Sequence, residues 1–484
     1  MEGKTRDTAE DAPGPAIDGP RAEACYLEAI GDGDIRALCE LGILYADGAP
    51  GLEPDGPRAE AYLLRAVEAG CTDALFDLGL LYQDGAPGLE PDGPRAETYY
   101  LRAVGAGITD ALNNLGLLYQ DGAPGLEPDG PRAETYYLRA VGAGITDALN
   151  NLGLLYQDGA PGLEPDGPRA EAYSLRAVEA GSVGALFNLG NLYAGGAPGL
   201  DPDGPRAEEY YLKAIEAGIT GALNNLGLLY QDGAPGLDPD GPRAEAYLLR
   251  ATEAGITDAL NNLGLLYAGG ALGLEPDGPK AEAYLLEAVE AGSAEAPFAL
   301  GFLFLHGAPG LDPDGPRAEA YLLEAGEAGS AGALLSLGNL YAGGAPGLDP
   351  DGPKAETYYL KAEGAGIPDA LLLGSLYQDG APGLEPDGPR AEACYLRAVE
   401  AGYTEALLLL GSLYRDGAPG LEPDGPRAEA CYLKRAEGGC IEALLLLGSL
   451  YRDGAPGLEP DSGKSRYYLS LYDQQAEGSP APGR

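Results

Sequence analysis

Between residues 109 and 121 the small and apolar side chains Ala111, Leu112, Leu115, Gly116, Leu118 and Tyr119 fall on one wide stripe at a 3.6-residue period. The stretch therefore predicts an amphipathic helix, helix A, over Thr109 to Asp121. Thr109 is expected to cap its start, and Asp121-Gly122 to end it with a glycine in the left-handed conformation. A second stripe of Ala133, Tyr136, Tyr137 and Ala140 predicts helix B from Gly130-Pro131 to about Val141, because proline suits the first helical position. Between the two lies GAPGLEPD, in which Pro124-Gly125 fits the centre of a type II turn. Leu126 is the one apolar residue available to pin that loop, and Asp129 is placed to cap helix B. Gly116 costs roughly 1 kcal/mol against alanine inside a helix, so its return in each copy calls for the close approach of a neighbouring helix. No stretch alternates as a strand does.

The pattern repeats. Residues 98 to 134 return letter for letter at 135 to 171, and the Gly-Pro openings at Gly93 and Gly130 lie 37 residues apart. Twelve such openings run from Gly19 to Gly425, and a degenerate thirteenth stands at Asp461-Ser462-Gly463-Lys464. A fixed period of this length marks a stacked array in which each unit covers its neighbour's apolar face. The domain reading is a disordered segment at 1–18, one repeat array at 19–472, and a helix end with a flexible tail at 473–484. Three irregular copies stand out. The copy at Ile367-Pro-Asp-Ala is one residue short, which is expected to delay the start of its helix A. Pro297 falls in a first helical turn, where it is tolerated. Arg435 takes the small slot of Ala140, so either its helix shifts or its guanidinium finds an acidic partner.

These residues resemble the Sel-one-like repeat (SLR), a relative of the tetratricopeptide repeat. The resemblance rests on Ala111, Leu115, Gly116, Tyr119, Gly122, Asp129, Arg132-Ala133, Tyr136-Tyr137, Arg139-Ala140 and Gly144, and it covers roughly residues 19 to 472. Tyr136 stands where that family commonly has tryptophan, and the loop from A to B is one residue longer. The resemblance implies an all-α fold: a right-handed α-α superhelix, or solenoid, of about thirteen helix-turn-helix repeats. It also implies that helix A lines the concave side and that the role is adaptor or scaffold work.

Composition narrows the function. Lys and Arg number 30 against 76 Asp and Glu, a net charge of −46. Such a surface repels phosphate backbones and anionic membranes, so neither nucleic acid nor membrane is an expected partner. Nowhere do about 18 apolar residues run together, and the start has no export signal; the expected location is cytoplasmic. The six cysteines stand in slots that other copies fill with ordinary residues, and they read as reduced structural thiols. Cys394 and Cys431 occupy equivalent slots with a helix stacked between them, too far apart for a disulfide.

Little is left for catalysis. His306 sits at a helix end with no Ser or Cys nucleophile in a recognisable setting. The acids Asp121, Glu127 and Asp129 lack the alternation of a calcium loop, and Gly463-Lys464-Ser465 is only the tail of a phosphate-binding motif. The chain is therefore read as no enzyme, with no metal and no cofactor. Cysteine-rich, secreted relatives in the family have been linked to penicillin binding, but this chain carries neither their cysteine pairs nor an export signal.

Variation between copies is the better guide. The slots of Asn113, Asn114, Leu117 and Gln120 change, on a face opposite the Leu115-Leu118 stripe and so free of stacking. Along the chain this face runs from acids (Glu40, Asp77) through a ladder of amides to leucines. The amides Asn113, Asn114, Asn150, Asn151, Asn188, Asn224, Asn225, Asn261 and Asn262 form the candidate ligand groove. Each both donates and accepts, as the backbone of an extended peptide requires. Leu408, Leu409, Leu445 and Leu446 form a candidate apolar docking end, suited to an apolar anchor or to self-association. The competing reading is that these slots are half buried and the amides merely spread by duplication. The expected function is a protein- or peptide-binding adaptor, and its alternative a passive acidic spacer.

Overall fold

The computed structural model describes residues 18–366 and 370–478, and the account below is confined to them. They form 25 helices, and no strand longer than an isolated bridge occurs among them. The chain divides into two compact units, Met1–Pro239 and Asp240–Arg484. The expected disorder of the N-terminal segment falls at 1–17, outside the described residues.

Twelve helices are of type A and thirteen of type B, because the first helix, Gly19–Gly31, is a helix B without an A before it. Helix B forms where expected, at Gly130–Gly142 in the reference copy, with Pro in the first turn. Its cap is the expected one: Asp129 Oδ1 accepts the Arg132 backbone N–H at 3.0 Å. Helix A runs Ala111–Asp121, two residues shorter than its stripe allowed, and neither Thr109 nor Asp110 caps it through a side chain. The threonine, exposed and outside the helix, serves its N-terminus only through its backbone carbonyl, which accepts the Leu112 N–H at 3.0 Å. Gly122 follows with φ 72° and ψ −177°. The positive φ was expected, but ψ is extended rather than left-handed helical, so the chain leaves the helix straight into the loop.

The loop is a type II turn: Gly125 has φ 80°, and the Leu126 N–H donates to the Ala123 carbonyl at 2.7 Å. Leu126 does pin it, against the preceding helix B. A Cβ on Gly93 would lie 2.7 Å from Leu126 Cβ, and the Gly93 N–H donates to the Pro124 carbonyl at 2.9 Å. The opening glycine of every helix B but the last is thus the seat for the next copy's loop. Gly116 answers to a close approach too, since a Cβ there would enter the ring of Tyr137 on the following helix B.

Within Met1–Pro239, helix Ala111–Asp121 touches the next helix A, Asp147–Asp158, which touches Gly184–Gly195. Within Asp240–Arg484, Ala296–His306 likewise touches Thr257–Gly269 and Ala331–Gly343. No two successive B helices among the described residues approach to the same degree. In these copies the A helices are more closely spaced than the B helices. Between the layers lies the core, of which Ala111, Leu115, Leu118, Ala133, Tyr137 and Ala140 are the reference set.

The irregular copies resolve as follows. Pro297 is buried in the first turn of Ala296–His306, where it was expected to be tolerated. The delayed start expected in the short copy falls at 367–369, outside the described residues. From Ala370 onward the helix is regular, and Ala370 packs with Ala398 and Ala406 as Leu149 packs with Ala177 and Ala185. Arg435 is half buried, and its Nε is buried without a hydrogen-bond partner. The last helix, Ser462–Gly478, continues well into the stretch 473–484, where a helix end and a flexible tail were expected. All six cysteines are free, but Cys39 Sγ and Cys71 Sγ lie only 2.6 Å apart, a neighbourhood that slot comparison did not suggest.

Candidate functional site

Tyr119 begins the description of the helix A layer. Each A helix carries an aromatic residue in this slot, and its hydroxyl donates to a glutamate on the preceding helix B. Tyr82 to Glu60 (2.5 Å) and Tyr193 to Glu171 (2.6 Å) are examples, and Tyr119 meets Glu97 in the same way. The following helix B supplies a cation: Arg95 pairs with Glu60 at 2.6 Å and lies 3.8 Å from the centre of the Tyr82 ring. Three consecutive helices are thereby clamped. The clamp's tyrosine also stacks on a second tyrosine, as Tyr119 does on Tyr136 with ring centroids 5.4 Å apart. Where Phe304 replaces the tyrosine, Arg317 and Glu282 pair directly at 2.5 Å, with the guanidinium 3.8 Å above the phenyl ring. This acidic-aromatic-basic unit went unnoticed in the sequence. Its trace was there: the glutamate precedes the tyrosine by 22 residues in most copies.

The second polar arrangement corrects the expectation that the slots of Leu117 and Gln120 are free of packing. The Tyr137 hydroxyl is buried and donates to Gln120 at 3.0 Å, and Tyr100 donates to Gln83 at 2.9 Å. Where the glutamine is missing, slot 117 supplies the acceptor: Tyr211 donates to Asn191 and Tyr359 to Asn339, both at 2.8 Å. Where helix B buries Leu63, Leu285 or Leu322 instead, the two slots hold Ile43 and Ala46, Leu265 and Ala268, or Phe302 and Leu305; the copy before the buried Leu248 is the exception, holding Leu228 and Gln231, whose Oε1 is buried without a hydrogen-bond partner. Much of the variation on this face therefore follows the hydroxyl of the packed helix. Burial pushes the Tyr211 phenol up to about 12, and the phenols of Tyr100 and Tyr137 are raised further by the same cause.

The amides of the candidate groove are half buried, apart from Asn261, which is buried with 4% exposure. They bond one another across successive A helices. Asn151 Nδ2 donates to Asn113 Oδ1, and Asn188 Nδ2 to Asn150 Oδ1, both at 2.9 Å. Asn225 Nδ2 reaches Asn191 Oδ1 at 2.9 Å, and Asn224 Nδ2 reaches Asn225 Oδ1 at 3.4 Å. Asn114 Nδ2 donates to the Tyr100 hydroxyl at 3.4 Å, and Asn262 is also engaged in an interaction. An amide has two hydrogens and two lone-pair sites, so each of these bonds leaves capacity over. At the leucine end, Leu408 and Leu446 are half buried against the core, whereas Leu409 and Leu445 are 37% and 40% exposed. Sequence reasoning did not single out Phe302 and Leu265, which are 53% and 45% exposed beside Asn261. The one signal was Phe302, an aromatic ring in a slot that other copies fill with Leu, Ile, Asn or Ser.

Tandem helix hairpins that share one core, with polar contacts running from each to the next, define an all-α solenoid. The chain belongs to the Sel1 repeat family, whose model matches twelve consecutive stretches from 35–71 to 441–471. That fold is typical of protein-interaction scaffolds, and the family's members are generally non-enzymatic. Among solved structures, the chain is similar to c5321 of Escherichia coli, described as a protective antigen of uropathogenic strains displaying an SLR fold. That match has 24% identity, covers 94% of this chain and 90% of the other, and has a TM-score of 0.47. A Sel1 repeat protein from Oxalobacter formigenes is 28% identical over 66% of this chain and 90% of its own, with a TM-score of 0.49. No curated protein matched the sequence. Among the described residues, no helix is long and apolar enough to cross a membrane.

Proposed function

We propose that the protein is a cytoplasmic, non-enzymatic adaptor that binds a protein or peptide along the face of its A helices. One observation carries this reading. Within the first unit the amides from Asn113 to Asn225 stand on successive A helices, half buried, and their mutual bonds leave donors and acceptors over. A rigid row of this kind suits many weak contacts with an extended backbone. The closer spacing of the A helices supports placing the groove on their side of each unit. Six free thiols accord with a reducing compartment. The repulsion due to the net charge of −46 argues against nucleic acid and anionic membranes as partners. Leu409 and Leu445 offer a surface for an apolar anchor or for self-association.

The test is affinity capture from the native cell with the wild type and with a variant in which Asn114, Asn151, Asn225 and Asn262 are alanine. Loss of specific partners is expected, and an unchanged partner set rejects the amide row. A second reading, the passive acidic spacer, draws on the identity of residues 98–134 with 135–171. It requires that deletion of one 37-residue unit leave function intact, whereas a binder that depends on register loses affinity.

A further inference from the structure

The amide row breaks inside the second unit. In two earlier copies the slot of Asn114 on one helix A donates to the slot of Asn113 on the helix before it: Asn151 to Asn113 and Asn188 to Asn150. The residue that would donate to Asn261 in this way is Ala299. Asn261 is 4% exposed, and its Oδ1 is buried with no hydrogen-bond partner. An orphaned acceptor of this kind destabilises the fold, and a donor arriving from outside removes that cost.

The space left by the missing side chain opens into a groove of about 710 Å³ lined by Asn261, Leu265, Glu295, Phe298, Ala299 and Phe302. Its walls are apolar and aromatic, and its charged side chain is the Glu295 carboxylate. It is lined as well by Ala325 and Ala328, at and just beyond the last turn of helix Gly315–Glu327. These features ask for the same occupant: donors without acceptors for Asn261, an aliphatic stem for Leu265 and the alanines, a planar cation for the rings, and positive charge for Glu295. Arginine supplies them together.

We propose that this groove binds an arginine side chain presented by an extended peptide segment of the partner. The proposal rests on the peptide-binding reading above and adds to it the chemistry of one anchor. The groove exceeds a single side chain in volume, so the residues flanking the arginine enter with it.

The experiment titrates full-length protein with the capped tripeptide Gly-Arg-Gly, read by ligand-observed NMR at about 0.15 M salt, where long-range attraction to the acidic surface is screened. Citrulline and norleucine replace arginine in the control probes. Arginine is expected to bind about fivefold or more tighter than citrulline, as a desolvated cation over aromatic rings requires. Ala299→Asn places the missing amide opposite Asn261. It should raise the melting temperature and reduce arginine binding at least fivefold. Phe302→Leu removes the ring and should weaken binding two- to threefold. Both substitutions install a residue that already stands in the same slot of other copies, Asn151 or Leu117, so the fold tolerates them. Equal binding of arginine and citrulline overturns the proposal. So does arginine binding that Ala299→Asn leaves unchanged, because the contact is then diffuse acidic attraction. Either result, found together with amide variants that do lose their cellular partners, rejects this groove and leaves the adaptor reading standing.

Discussion

Gly116 sets two effects of opposite sign against each other. Replacing a mid-helix glycine by alanine gains about 1 kcal/mol of helix propensity, but here the added methyl enters the ring of Tyr137. That ring is buried with its hydroxyl held by Gln120, so it cannot swing aside without breaking the bond. Overpacking of this kind costs about 1–3 kcal/mol or more and wins. Gly116→Ala is therefore expected to lower the urea midpoint, and an unchanged or raised midpoint would refute the packing argument. Arg435 presents the reverse case. Its slot is a fully buried alanine in the reference copy, and its Nε is buried without a partner. Arg435→Ala removes an unsatisfied donor and restores the small residue, for an expected gain of about 1–2 kcal/mol by thermal melting. A loss of stability would mean that the stem of the arginine packs better than its head suggests.

Between elements, the clamp of Glu60, Tyr82 and Arg95 is best valued by the copy that lacks part of it. Phe304 keeps the ion pair and the stacked cation without any hydroxyl, so the phenol adds to the clamp rather than creating it. With Arg95 44% and Glu60 23% exposed, the pair is in reach of water and contributes at most about 1 kcal/mol. Tyr82→Phe should accordingly cost no more than about 1 kcal/mol. Glu60→Ala should cost more, because it removes the acceptor shared by the phenol and the guanidinium and leaves them only each other; equal losses in a denaturation series would contradict this ordering. The phenols also set a pH limit. Burial pushes those of Tyr45, Tyr211 and Tyr451 up to about 12, against about 10 in an unfolded chain. Native protein then holds protons that the unfolded chain releases, so stability is retained below about pH 10 and falls as pH rises from there towards 12. Tyrosinate absorbance and helical circular dichroism should change together in that window, and tyrosines that ionise with the helices intact would show that their hydroxyls are not confined.

Over the whole chain, what could be read from the sequence was whatever one 37-residue copy contains. The two helices, the type II turn, the Asp129 cap and the close approach at Gly116 all follow from local spacing and recur in phase. Contacts between copies were much less legible. The bond from Asn151 to Asn113 spans 38 positions, and the Arg95 pair with Glu60 spans 35, so neither follows from the pattern of a single helix. For the same reason slot 120 looked free when Gln120 was in fact held by Tyr137, and the groove at Asn261 depends on a residue absent from the neighbouring copy. Charge is the one property that composition alone supplies at this scale. A net charge of −46 sums many long-range repulsions, which salt screens beyond a Debye length of about 8–10 Å. The attractive pairs, such as Arg95 with Glu60 at 2.6 Å and Arg206 with Glu171 at 2.8 Å, act in contact and lose less to screening. Raising salt from about 0.01 M to about 0.5 M should therefore raise the melting temperature, since it weakens the many repulsions more than the few contacts. A melting temperature that falls instead would mean that the clamps, and not the diffuse charge, dominate the electrostatics of the fold.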